Sequence, residues 1–233
     1  MMDRFSPHFG TLQATILSSH YHEDVGGRCS CGSETAPYRC EECFHPRMLC
    51  SSCIVSTHIQ LPFHHIGEWC GTHFKRTSLS ALGATLCLGH QGEKCRNRLP
   101  GPGRNTVIVH TNGIHQVCVE YCRCEDVQEA IQLTQSQFFP ATMERPETAF
   151  TFAVLNDFHM HSLTSKKSAM DYVDALRKHT NAAFPQQTPV SMIFTLGFKM
   201  LIDILESLQR ILLHRAYLAS PCNSKTVGPS TRN

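Results

Sequence analysis

The stretch Cys29–His64, CSCGSETAPYRCEECFHPRMLCSSCIVSTHIQLPFH, decides how this chain folds. Its cysteines and histidines follow the pattern C-x-C-x8-C-x2-C-x6-C-x2-C-x4-H-x5-H. These are eight donors in four close pairs, and each pair can place both donors on one ion with little loop-closure cost. Four soft donors complete a tetrahedral zinc, so eight read as two closed structural sites. Taken alternately, the pairs make a cross-brace, with Cys29, Cys31, Cys50 and Cys53 on one Zn2+ and Cys40, Cys43, His58 and His64 on the other. Such a segment folds on metal rather than on a large core. A closed site also has no open position for water, which points to binding rather than catalysis.

Working outward, thirteen Cys and fifteen His in 233 residues leave two explanations, disulfides or metal. The opening MMDRFSPHFGTLQATILSSH lacks the basic start, apolar centre and small-residue cleavage site of a secretory signal. The expectation is a chain that is not secreted and sits in a reducing compartment, where disulfides do not persist. Close Cys–His pairing then favours Zn2+. A net charge of +2 says little about partners. Locally, Lys75, Arg76, Lys94, Arg96, Arg98 and Arg104 stand against Glu93 alone. That stretch is a candidate for tracking DNA phosphates; the plainer reading is a solvated loop beside a metal site.

The expected class is α+β, with a small zinc-stabilised cross-brace, a β-hairpin second metal cluster and then a helical segment. Residues 1–28 are polar and patternless and read as a disordered tail. Residues 29–124 form the Cys/His region, divided into a first cluster over 29–64 and a second over 65–124. In the second, Thr106–Thr111 and Ile114–Tyr121 flank Asn112-Gly113, the signature of a type I′ hairpin. A two-residue Asn-Gly loop sets His110 opposite His115 and Ile108 opposite Val117. His90, Cys95, Cys122 and Cys124 are candidates for a third zinc, with His115 as the substitute ligand. Cys70, Cys118 and Cys222 read as plain thiols.

Residues 125–189 read as helical. Asp126 with Glu129 suggests a cap, and Val127 to Phe138 carries helical spacing up to Pro140. Phe150, Val154, Leu155 and Phe158 repeat that spacing; Ser168 with Asp171 suggests a further cap ahead of Ala169, Tyr172, Val173 and Leu176. From 190 to 233 the pattern is an amphipathic helix followed by a disordered tail. Lys199, Asp203 and Glu206 interrupt its apolar run, which argues against a membrane span.

The string CSCGSETAPYRCEECFHPRMLCSSCIVSTHIQLPFHHIGEWCG resembles the CxC-type cysteine-cluster domain associated with KDZ (Kyakuja-Dileera-Zisupton) transposases. The likeness continues through LGHQGEKC, TNGIHQVCVEYCRC and QSQFFPATMERPETAFTFAVLNDFHMHSLTSK to the helix over Tyr172–Phe184, so it covers roughly residues 25–189. It reaches the eight donors of the first cluster and Trp69, His90, Cys95, His115, Cys122 and Cys124. Cys70, His73, Cys87 and His110 fall outside the family pattern. The resemblance implies a zinc-binding module that contacts DNA or chromatin in the nucleus, ahead of a transposase catalytic domain, in fungal genomes rich in these elements. The likeness stops near Val190, and the remaining residues leave no room for that catalytic domain. A truncated or mis-spliced relic, with 190–233 as read-through, is therefore one expectation.

Three function classes follow. A DNA-binding module of transposase origin rests on the likeness and on the basic stretch, although no helix carries the dense basic face that fills a major groove. A protein-interaction module rests on the similarity of the spacing to cross-brace folds of B-box and ZZ type, with Trp69 or the helical region as contacts. An enzyme finds no support, since there is no HExxH, no phosphate loop and no spaced acid triad. The expectation is a non-catalytic binder with no membrane and no small-molecule substrate.

Overall fold

The computed structural model describes residues 4–19, 25–97, 101 and 103–188. The expected amphipathic segment over 190–233, Arg98 and Cys222 lie outside the described residues. The chain divides into two compact units, Met1–Phe152 and Ala153–Asn233.

The first unit begins with α1 (Phe9–Ser19). A disordered tail was expected here, but Phe5, Phe9, Leu12 and Ile16 recur at helical spacing, and Thr15 and Ser18 return hydroxyl bonds to carbonyls of the preceding turn. Those four apolar side chains remain exposed.

The cross-brace segment and the residues after it give β1 (Tyr38–Cys40), α2 (Ser51–Thr57), β2 (Ile66–Trp69) and β3 (Phe74–Thr77). The strands form one antiparallel sheet in the order β1-β2-β3, with Cys40 opposite Ile66 and Trp69 opposite Phe74. Two small apolar clusters support it. One is Cys29, Ala36, Met48 and Cys50; the other is Cys40, Ile54, Ile66 and Leu79. Cysteines are thus part of the core itself.

The larger sheet uses β4 (Thr85–Cys87), β5 (Arg104–His110), β6 (Gly113–Glu120), β7 (Phe138–Pro140) and β8 (Thr148–Thr151), with α3 (Glu129–Gln135) between β6 and β7. Its order is β4-β6-β5-β8-β7, with β4 parallel to β6 and β5 parallel to β8. Ile108, Val117, Val119, Leu133 and Phe138 form its core with Leu88, Tyr121 and Ala149.

The hairpin register differs from the expected one. His110 faces Gly113, and Ile108 faces His115. The turn residues are Thr111 and Asn112, and neither has the positive φ that a type I′ turn requires. Asn112 is instead held by its side chain, which donates to Glu42 Oε1 at 2.7 Å and to the Phe63 carbonyl at 2.9 Å. Local turn preference gave way to this anchoring.

The helical reading of 125–189 holds only in part. The sheet runs through Thr151, because Phe138–Pro140 and Thr148–Thr151 pair as strands. Gln128, not Asp126, is the N-cap of α3, and no side chain caps it. The second unit contains α4, which starts at its border (Phe152–Ser165), and α5 (Ala169–Thr180). Ser168 caps α5 as expected, accepting from the Asp171 N–H at 3.1 Å. The rings of Phe158 and Tyr172 lie 5.2 Å apart, and Tyr172 donates to Asp157.

Candidate metal centres

Three groups of four donors converge. Cys29, Cys31, Cys50 and Cys53 form the first; Cys40, Cys43, His58 and His64 the second; His90, Cys95, Cys122 and Cys124 the third. Within each group the donor atoms all lie within 4.8 Å of one another. The twelve described cysteines are all free thiols.

The donor spacings test whether an ion fits. Tetrahedral bonds of about 2.3 Å to sulfur and 2.0 Å to nitrogen separate two sulfurs by about 3.8 Å and a sulfur from a nitrogen by about 3.5 Å. Cys31 and Cys50 Sγ stand 3.6 Å apart, and Cys95 Sγ lies 3.7 and 3.6 Å from those of Cys122 and Cys124. Cys43 Sγ is 3.4 Å from His58 Nε2 and 3.5 Å from His64 Nδ1. His90 Nε2 is 3.2 and 3.4 Å from Cys122 and Cys124 Sγ. Each of the three groups fits one tetrahedral ion.

In the first group, Cys50 is the N-cap of α2, and its N–H donates to Cys29 Sγ at 3.3 Å. The Ser52 hydroxyl and the Cys53 backbone N–H lower the Cys50 thiol to about 6. Hydrogen bonding to Cys31, Cys50 and Cys29 pushes Cys53 up to about 12. Crowded thiols resist ionising together, and a bound cation removes that conflict.

In the second group, the backbone N–H groups of Glu42 and Cys43 donate to Cys40 Sγ at 3.4 and 3.2 Å, so Cys40-x2-Cys43 forms a tight knuckle. Burial nevertheless raises the Cys40 thiol to about 11. His58 Nδ1 donates to the Ile54 carbonyl at 2.9 Å, which leaves Nε2 bare on the side of the sulfurs. Burial lowers the pKa of His58 and favours the neutral, ligating imidazole.

The third group joins two distant segments. His90 and Cys95 follow β4; Cys122 and Cys124 follow β6, its parallel neighbour. Gly89, at φ +85°, allows the approach, since a Cβ there would stand 2.9 Å from Cys122 Cβ. The Arg123 backbone N–H lowers the Cys95 thiol to about 6, and Asn97 Nδ2 lies 3.6 Å from Cys124 Sγ. Gln132 of α3 pairs with the peptide of Cys122, accepting from its N–H at 2.8 Å and donating to its carbonyl at 2.9 Å. Glu129 of α3 accepts from Arg104 and from Arg123, the latter at 2.7 Å.

His115, the expected substitute ligand, stands outside the three groups. Its Nε2 is 2.8 Å from Asn112 Oδ1, and its ring packs on Phe63 and His65. Burial first, then the neighbouring His65 and His110, lower its pKa to about 3. Cys70, Cys87, Cys118, His73 and His110 also stand outside the three groups. Among the basic candidates, Arg76 is paired with Glu41 at 2.9 Å, and Arg104 lies against Glu129 and the Tyr121 ring. Lys75, Lys94 and Arg96 are exposed. Trp69 is half-buried against Phe74. Sequence reasoning missed Gln132 and Glu42 and saw in Asn112 only a turn residue; Glu42 meets Asn112 seventy positions away, and Gln132 reaches back ten positions to Cys122.

The architecture is therefore an α+β module built around three donor groups able to hold metal ions. Residues 79–183 match the family described as a CxC2 like cysteine cluster associated with KDZ transposases. That match takes in the larger sheet and the third group, but not the first two groups; it is to the cysteine cluster and not to a transposase catalytic domain. No curated protein and no solved structure gives a significant match. No helix among the described residues is long and apolar enough to cross a membrane.

Proposed function

We propose that this chain is a zinc-built, non-catalytic recognition module of transposase origin. The observation that carries the reading is the convergence of three complete donor tetrads, each with tetrahedral spacing. Sulfur and imidazole donors in four-coordinate, closed sites suit Zn2+, which needs no open position in a structural role. The sites then hold loops in place rather than perform chemistry.

DNA is the partner favoured by the association with transposases, and that contact would place the chain in the nucleus. Lys75, Lys94 and Arg96 are its phosphate contacts; Arg76 and Arg104 are engaged in ion pairs and contribute less. Native mass spectrometry of the full chain should give three zinc ions per molecule. Binding to duplex DNA should weaken with salt at a log–log slope no steeper than about −3, one counterion per exposed cation. Fewer than three zinc ions would remove the scaffold reading. Three zinc ions without duplex binding at low salt would remove DNA alone. Protein contact is the second reading, favoured by an uncharged cleft between the second and third donor groups.

A further inference from the structure

That cleft, a cavity of about 560 Å³, lies entirely within the first unit. One wall is the loop Ile59–Phe63, which runs between His58 and His64 and is tied at both ends to the second donor group. The opposite wall, Gly89–Gly92, contains His90 of the third group. The turn from α3 into β7 closes the remaining side.

The floor is apolar. Phe63 and Leu86, both partly buried, form its surface over the buried Leu88 and Phe138, with the two phenylalanine rings edge to face at 6.0 Å. The rim is neutral and polar. Gln60, Gln91, Gln135 and Gln137 line it with exposed carboxamides that have no hydrogen-bond partner among the described residues. Gln91 and Gln137 hold φ of 58° and 65°. No charged residue lines the cleft among the described residues.

We propose that this cleft binds an extended, uncharged peptide segment of a partner protein. One apolar side chain sits on the floor surfaced by Phe63 and Leu86, and the glutamine carboxamides pair with the peptide's main-chain N–H and C=O groups. A carboxamide offers donor and acceptor together, which matches a peptide bond and neither a phosphate nor a carboxylate. A stacked nucleobase fits less well, because Phe63 already packs on His110 and His115 at 4.8 and 5.5 Å. The volume is that of a small-ligand site. The proposal rests on the protein-contact reading and on metal-held walls.

The test uses the zinc-loaded full chain and capped pentapeptides with central Leu, Phe, Lys or Glu, followed through glutamine side-chain amide resonances. Leu and Phe peptides should saturate with Kd near 1 mM or tighter, and Lys and Glu peptides at least about tenfold weaker. Gln60→Ala with Gln135→Ala should weaken the Leu peptide roughly fivefold without changing zinc per chain. Chelation should abolish binding. Equal affinity for all four peptides, or no saturation by about 10 mM, overturns the proposal, as does saturation by deoxyadenosine in place of peptide. Because zinc per chain is read in the same samples, a failed scaffold is distinguished from a scaffold with an empty cleft.

Discussion

The cross-brace and the five-stranded sheet sit in one unit but are held by different forces. Around the cross-brace the buried set is small and includes Cys29, Cys40 and Cys50. The sheet buries Leu88, Ile108, Val119 and Leu133 almost completely, and its donor group lies beyond the strand ends. A region whose core consists of thiols depends on what the thiols bind. A region with an aliphatic core depends on packing, and its ion trims a loop.

Removing metal should separate the two most sharply. Structural zinc contributes on the order of 10 kcal/mol to small modules of this kind. Chelation of the reduced chain should therefore abolish amide-exchange protection across β1, α2 and β2 while β5 and β6 keep measurable protection. Equal loss in both would show that the sheet, too, folds only on metal.

Cavity creation attacks the other side. Ile108→Ala removes a fully buried side chain and should cost about 2–5 kcal/mol in denaturant melts, with zinc per chain unchanged. If metal were lost with it, packing and ligation would not be separable.

Gln132→Ala acts where the two kinds of support meet. It leaves both backbone groups of Cys122 without their partner and should cost about 1–3 kcal/mol. Competition with a graded chelator should show one of three ions held roughly ten- to a hundredfold more weakly. Uniform affinity across the three ions would reduce Gln132 to a packing residue.

The smallest effect, over the single pH unit tested, is protonic. Burial pushes the His115 imidazole from its ordinary 6.5 down to about 3 in the fold. The unfolded chain therefore takes up a proton that the folded chain refuses. The stabilisation is complete above pH 6.5 and is lost as pH falls towards 3, at no more than about 1.4 kcal/mol per unit. His115→Gln should flatten the slope between pH 6.5 and 5.5, measured while metal content holds constant. An unchanged slope would assign the acid sensitivity to other groups.

The close donor pairs could be read from spacing because Cys-x2-Cys and its relatives leave short loops little choice; spacing alone does not say which distant pairs share an ion in the third group. The hairpin could be located, but its register could not. Asn112 chooses its conformation for Glu42, seventy positions away, and no local preference reports that bond. Phe138–Pro140 and Thr148–Thr151 fall inside helical spacing in the sequence, because three- and four-residue strands are too short to show a period of two. Helix α1 escaped notice for the opposite reason: its spacing is regular, but its apolar face stays exposed.

The interleaving of the donor pairs also sets a timetable for synthesis. No segment shorter than Cys29–Cys53 contains a complete first group, and the second stays incomplete until His64 has been made. The third waits for Cys124, seventy-one residues after Cys53. At roughly 5–20 residues per second, that is an interval of several seconds in which His90 and Cys95 emerge without their partners. The donor groups therefore become complete in a fixed order, and the last is the one that needs a finished hairpin to bring its halves together.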